Sequence, residues 1–148
     1  SFVLAKEFEG KFSSVDTMLN NIDSVTKALN AASAAAKKAN DTALASKLDA
    51  ALASRDTVFN FLTADYHNDE DSIERPGALR EDLQFGQYLA GTALTPAILD
   101  SARRVNVEYQ SGVARYNAFV TNALPGVDAA LKAANQKPLP AISTVHAQ

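Results

Sequence analysis

Apolar or small side chains recur at alternating steps of four and three along the first quarter of the chain: Phe8, Phe12, Val15, Leu19, Ile22, Thr26, Leu29, Ser33 and Ala36. Such steps return to the same side of a 3.6-residue helix, so these positions form one stripe. Met18 and Val25 widen it, while Lys6, Glu9, Lys11, Asp16, Asn20, Asp23 and Lys27 fall beside or opposite it, as a helix buried on one side requires. The spacing predicts a helix over residues 4–39, on the order of 50 Å long at ~1.5 Å per residue. A rod of that length is not stable by itself in water, so it needs partners of similar length.

The rest of the chain supplies them. Asn40 suits the left-handed turn that ends a helix, and Asp41 can cap the next by accepting from its free backbone N–H groups. A second helix is expected over residues 42–66, with Leu44, Leu48, Leu52, Phe59, Leu62 and Tyr66 on one face and Arg55 where an apolar residue would fall. A third, over 78–90, carries Leu79, Leu83, Phe85 and Leu89 and is loosened by Gly86 and Gly91. Thr95-Pro96 reads as a helix start, since Pro at the first helical position lacks only an N–H that has no helical partner. From there Ile98, Ala102, Val105, Tyr109, Gly112, Tyr116, Val120 and Leu124 repeat the four-three spacing. It resumes in phase beyond Pro125 at Val127 and Leu131, which predicts a kinked continuation to about residue 134.

No segment alternates as a strand does, so the expected fold is all-α: an antiparallel up-down-up-down four-helix bundle with long first and last helices. Residues 1–135 form the bundle domain, and 136–148, with two Pro and no period, form an irregular tail that frays or runs over the surface. The first helix outruns the second and third. Its excess is expected to pack on the far end of the last helix, on another domain or on another copy of the chain, with Phe8 and Phe12 at the protruding end.

Composition narrows the chemistry. Without Cys there is no thiol nucleophile, thiolate metal site or disulfide frame. A net charge of −3 lacks the basic field that phosphate neutralisation needs, so nucleic acid is not an expected partner. No stretch approaches the ~18 apolar residues of a membrane span, so the chain is not expected to cross a bilayer. The chain starts at Ser1 with no basic segment leading into an apolar one, so a signal peptide is expected to be absent or removed. The only His, His67 and His146, do not form the Glu-x-x-His pairs through which bundles hold iron or manganese. No nucleophile elbow, phosphate-cradling glycine loop or dinucleotide fingerprint occurs. The chain is therefore not expected to be an enzyme, and no catalytic, cofactor-binding or metal-binding residue is assigned.

Residues 65–82 contain seven acids and two Arg, net −5. Read as a calcium loop from Asp65, the segment puts Glu70 at the glycine position and Pro76 at the final bidentate Glu position, so the EF-hand pattern fails. Solvated or Arg-paired acids around a turn are the simpler reading. Asn40-Asp41-Thr42 matches a glycosylation acceptor, a pattern loose enough that a helix-to-helix turn explains it better.

The run "FLTADYHNDEDSIERPGALREDL", the Thr-Pro helix start and the ending "YNAFVTNALPGVDAALKAANQKPLP" resemble the helical C-terminal region of large bacterial proteins with sialidase-like or sortilin-like β-propellers. The resemblance covers roughly residues 58–140, most specifically Asp71 to Gly77. It implies an extracytoplasmic appendage, periplasmic or secreted, with any active site in the absent propeller and with the loop from His67 to Gly77 as the contact surface. Phe8, Phe12, His67, Asp69, Asp71, Ile73 and Arg75 are accordingly the candidate interaction residues. The leading expectation is a non-catalytic module for binding a protein partner, another domain of the same polypeptide or a second copy. The alternative is a small-ligand sensor or carrier, with Tyr66, Tyr88, Tyr109, Tyr116 and Arg55 around an internal cavity. A cation site in the acidic loop comes third.

Overall fold

The computed structural model describes residues 2–64, 78–91 and 94–147, and every regular element among them is helical. The elements are α1 (Phe2–Lys38), α2 (Thr42–Leu62), α3 (Leu79–Ala90), α4 (Pro96–Ala118) and α5 (Leu124–Ala133), with a π-turn at Phe119–Ala123 joining the last two. The all-α bundle expected from the periodicity is the fold that forms.

Local chemistry places the ends. Asn40 takes the left-handed conformation at φ 56°, and the Asp41 N–H donates back to the Ala36 carbonyl at 2.9 Å, closing α1. The Asp41 carboxylate accepts from the Leu44 N–H at 3.1 Å and so opens α2. Thr95 does the same for α4, accepting from the Ile98 N–H at 3.2 Å, with Pro96 at the first helical position. Pro125 lacks the N–H that would bond Thr121, and its ring crowds that carbonyl. The wider π-turn directly before it, in which the Leu124 N–H bonds the Phe119 carbonyl, lets the helical rod continue.

The alternation expected of four separate rods is not the arrangement seen. Ser33 bonds Asp49 and Thr26 bonds Arg55, so α2 runs against the C-terminal half of α1. Arg80 bonds Asp16, and the Phe8 ring lies against Gly86, so α3 also runs against α1, beside its N-terminal half. Lys11 bonds Asn106 and Asn21 bonds Tyr116, a constant offset, so α4 runs in the same sense as α1. In cross-section there are three rods: α1, then α2 followed by α3, then α4 continued by α5. The apparent excess length of α1 is covered because the shorter helices succeed one another along it.

The junction between α2 and α3 is stitched by Glu81. Its carboxylate accepts from the Thr63 hydroxyl at 2.7 Å and from the Ala64 N–H at 3.2 Å, ending α2 at Leu62, four residues before the expected Tyr66. Leu62 and Leu79 meet there over Gly112, where an added Cβ would lie 2.7 Å from Leu79 and 3.2 Å from Leu62. Gly112 occupies the stripe of α4 because two leucines from two helices fill the space a side chain would take.

The stripes read from the sequence form the core. Val15, Ile22, Leu29, Leu48, Leu62, Leu83, Tyr116 and Leu131 are fully buried, and each large apolar side chain so placed contributes about 1.5–3 kcal/mol. Of the two fates expected for the tail, it takes the surface path and is pinned there. Asp128 accepts from the Leu139 N–H at 2.9 Å, Asn117 exchanges two hydrogen bonds with Val145, and Leu139 is buried. The Tyr116 hydroxyl donates to the Ser143 carbonyl at 2.7 Å while accepting from Asn21 at 2.9 Å, tying α1, α4 and the tail together.

Candidate functional site at the open end of the bundle

At the two ends of the molecule the same residue types are treated differently. Along the bundle several aromatic rings are covered by cations: Arg55 lies 4.2 Å over Phe59, Arg115 4.4 Å over Phe61 and Arg80 4.6 Å over Phe12. Arg55, the odd residue in the stripe of α2, also pairs with Asp56 at 3.0 Å and Asp23 at 3.7 Å. Toward the start of α1, the end of α3 and the start of α4, large apolar side chains stand in the open. Val3, Phe85, Tyr88, Leu94 and Leu99 are all exposed at that end, Tyr88 by 74%. Phe85 and Tyr88 stack on each other, their ring centres 6.5 Å apart.

Two recesses open at the same end. A broad groove of about 890 Å³ runs between α1 and α4, lined by Leu4, Lys6, Lys11, Leu99, Tyr109 and, from the tail, His146. Lys11 crosses it, donating to Asn106 at 2.6 Å and sitting 5.6 Å over the Tyr109 ring. A smaller cavity of about 200 Å³ lies between α3 and α4 with Phe8 of α1 beneath it. Its walls are apolar (Phe8, Phe85, Leu89, Ile98, Val105), and its polar groups are Asp82, Glu108 and Arg104 with Ser101.

Asp82 and Glu108 both line this cavity. Burial, then the hydrogen bond with Asp82 and the charge on Asp82, push the Glu108 carboxyl from its ordinary 4.5 up to about 7, with Arg104 pulling the other way. The Glu108 Oε2 atom is buried and has no hydrogen-bond partner among the described residues. Asp49 is held below its ordinary value by the Ser33 hydroxyl and then by Lys37, and burial raises Tyr116 against the opposing bond from Asn21. Among the described residues no three His, Cys, Asp or Glu side chains converge as metal ligands would.

The candidate interaction residues fall in two groups. Phe8 and Phe12 do not protrude: Phe8 is 4% exposed against Gly86, and Phe12 lies half-buried beneath Arg80, because α3 reaches the part of α1 that seemed unmatched. His67, Asp69, Asp71, Ile73 and Arg75 lie outside the described residues, as does Tyr66. Of the cavity expected around the tyrosines and Arg55, Tyr109 and Tyr116 are core, Arg55 is an ion-paired lid and Tyr88 is exposed, so they enclose no chamber. Periodicity missed Phe85 as an exposed residue, since it was counted with Leu83 and Leu89 as apolar. Its position two residues after Leu83, roughly 200° round the helix, was the available signal.

No helix among the described residues is long and apolar enough to cross a membrane. Comparison with protein-family models, with curated proteins and with solved structures gives no match.

Proposed function

We propose that this chain is a non-catalytic helical module that docks a protein surface, on a separate partner, on another domain of its own polypeptide or on a second copy. The surface is its open end. The observation that carries the reading is the gathering there of Val3, Phe85, Tyr88, Leu94 and Leu99, five of the six large apolar side chains that stand exposed among the described residues, Val107 of α4 being the sixth. Exposed large apolar residues concentrated in one region mark interaction sites, and aromatic residues contribute most to such contacts. The sequence resemblance supplies the setting: an appendage of an exported bacterial protein.

Photo-crosslinking from positions 85 and 88, with position 47 on the opposite end as control, tests the assignment in the producing cell. Adducts from 85 and 88, absent at 47 and lost when Leu94 and Leu99 are changed to Ser, are the expected result. Adducts from all three positions alike, or from none, would remove the open end from consideration.

A further inference from the structure

The broad groove between α1 and α4 gives the docked partner a chemistry. We infer that it takes an acidic amphipathic helix of the partner protein, laid along the seam as a fourth rod, with a carboxylate of that helix against Lys11. The inference rests on the docking reading and deepens it by naming what docks.

The shape of the groove suits a helix. α1 contributes Leu4, Glu7, Lys11 and Ser14, and α4 contributes Leu99, Arg103, Asn106 and Gln110, both at steps of three and four. Two such strips on helices that run in the same sense bound a channel of about 15 Å, close to three helical turns. Among the described residues none from α2 or α3 lines it, so it is an outer seam of a three-rod bundle, where a further rod can lie. Walls made of helices offer no free backbone edge to an extended strand, whereas an amphipathic helix satisfies its own backbone and lays a ridge of side chains into the seam. Gly10, in the wall, faces open space: an added Cβ would meet nothing within 4 Å, so the chain's own packing does not require the missing side chain.

Charge sets the sign of the partner. The lining carries three cations, Lys6, Lys11 and Arg103, against one acid, Glu7, in a chain whose net charge is −3. Lys6 and Arg103 pair with Glu9 at 3.8 Å and Asp100 at 3.0 Å, acids outside the lining, and exposed pairs one turn apart are weak enough for a partner's carboxylate to exchange with them. Lys11 is different. It is half-buried, its ammonium donates to the neutral Asn106 Oδ1 and lies over the Tyr109 ring, and it pairs with no carboxylate among the described residues. An incoming carboxylate supplies the counter-charge that this partly desolvated ammonium lacks. Leu4, Leu99 and Val145 nearby, continued outward by the exposed Val3 and Val107, receive the partner's apolar side chains.

The test titrates the whole chain with a capped peptide of about twelve residues, Leu at four-three steps and Glu on the flanks, followed by amide NMR. Saturable shifts at Gly10, Asn106 and Gln110 that weaken with added salt are expected, with binding about tenfold weaker for the twin carrying Lys in place of Glu. Lys11→Met keeps the stem and should narrow the gap between the two peptides. Gly10→Trp fills the channel and should abolish the shifts at Asn106 and Gln110 without lowering Tm, because Trp is a better helix former than Gly. Should either variant fail to fold by its melting curve, the twin comparison and the salt dependence on the unaltered chain decide the matter. Equal binding of the twins, shifts confined to Phe85 and Tyr88, or groove shifts that survive Gly10→Trp would each overturn the inference. Groove shifts produced by concentrating the chain alone would assign the seam to a second copy, and tighter binding to phosphatidylglycerol vesicles than to the peptide would assign it to a lipid surface; both results overturn it as well. Crosslinks from positions 85 and 88 without saturable groove shifts would remove the groove and leave the docking surface, whereas no crosslinks at all would remove the docking reading and this inference with it.

Discussion

The two halves of this bundle use the same kind of helix for different ends. In the far half, α1, α2 and α5 meet through Leu29, Leu48 and Leu131, all fully buried, and through small residues such as Ala36, Ala45 and Ala51 that let the rods come close. Charges there are answered locally, as Asp49 is by Ser33 and Lys37. In the near half, α1, α3 and α4 leave a groove, a cavity lined by Asp82 and Glu108, and bare aromatics. The contrast teaches that a continuous buried core, to which Val15, Leu79 and Leu83 of the near half also belong, can carry open groups at one end. Unsatisfied polar and exposed apolar groups can be tolerated where the remaining core holds the fold, and they are where binding is expected.

The largest break in this comparison should come from the far core. Leu48→Ala removes a fully buried side chain and should lower stability by about 3 kcal/mol, or roughly 6–12 °C in Tm for a chain of this size, measured by urea and thermal unfolding. Phe85→Ala, which deletes a larger side chain from the near half, should change stability by less than about 0.5 kcal/mol. Comparable losses from the two variants would mean that the open end is itself covered and core-like.

A second prediction uses pH. The folded chain holds a proton on Glu108 between about 4.5 and about 7 that the unfolded chain has already released, so stability should fall as pH rises through that window. The loss is at most about 1–2 kcal/mol once solvent screening at this partly exposed site is allowed for. Glu108→Gln should flatten the slope of unfolding free energy against pH there. An unchanged slope would show that the carboxyl pair does not share its proton.

Much of this architecture was legible in residue spacing, and what was not has a physical reason. The four-three stripes located the buried faces of α1 and α4, and the turn chemistry of Asn40-Asp41 and Thr95-Pro96 located ends that the structure reproduces. Periodicity reports which face is buried but not which neighbour covers it or in which sense that neighbour runs. The succession of α2 and α3 along α1 was therefore hidden, and with it the burial of Phe8. The end of α2 was misplaced because Glu81, seventeen residues beyond Ala64, stops it by a contact across the fold. The Asp82–Glu108 pair left only a faint trace, a carboxylate next to the stripe of α4 one turn after Val105. The tail is held by side chains of Tyr116, Asn117 and Asp128 bonding its backbone, and a segment fixed in that way needs no period of its own.

The most local expected effect sharpens the boundary between the halves. Tyr116 is fully buried, and its hydroxyl joins α1 to the tail, accepting from Asn21 and donating to the Ser143 carbonyl. Tyr116→Phe keeps the ring and its packing, so the change should cost only about 1 kcal/mol, the net worth of a hydrogen bond whose remaining partners lie near enough to the surface to recover water. Its consequence should be local. Val145 and Leu139 donate their N–H groups to Asn117 and Asp128, so hydrogen exchange at these two amides reports the tail directly. Exchange should accelerate at Val145, two residues from the lost anchor, more than at Leu139, whose bond to Asp128 is untouched. Because Val145 and His146 line the groove between α1 and α4, a loosened strap would also widen the near half while the far core stays closed. Equal acceleration at Val145 and at the amides of α2 would mean instead that the tail and the bundle open as one unit, and the division into a sealed half and an open half would not describe how the molecule moves.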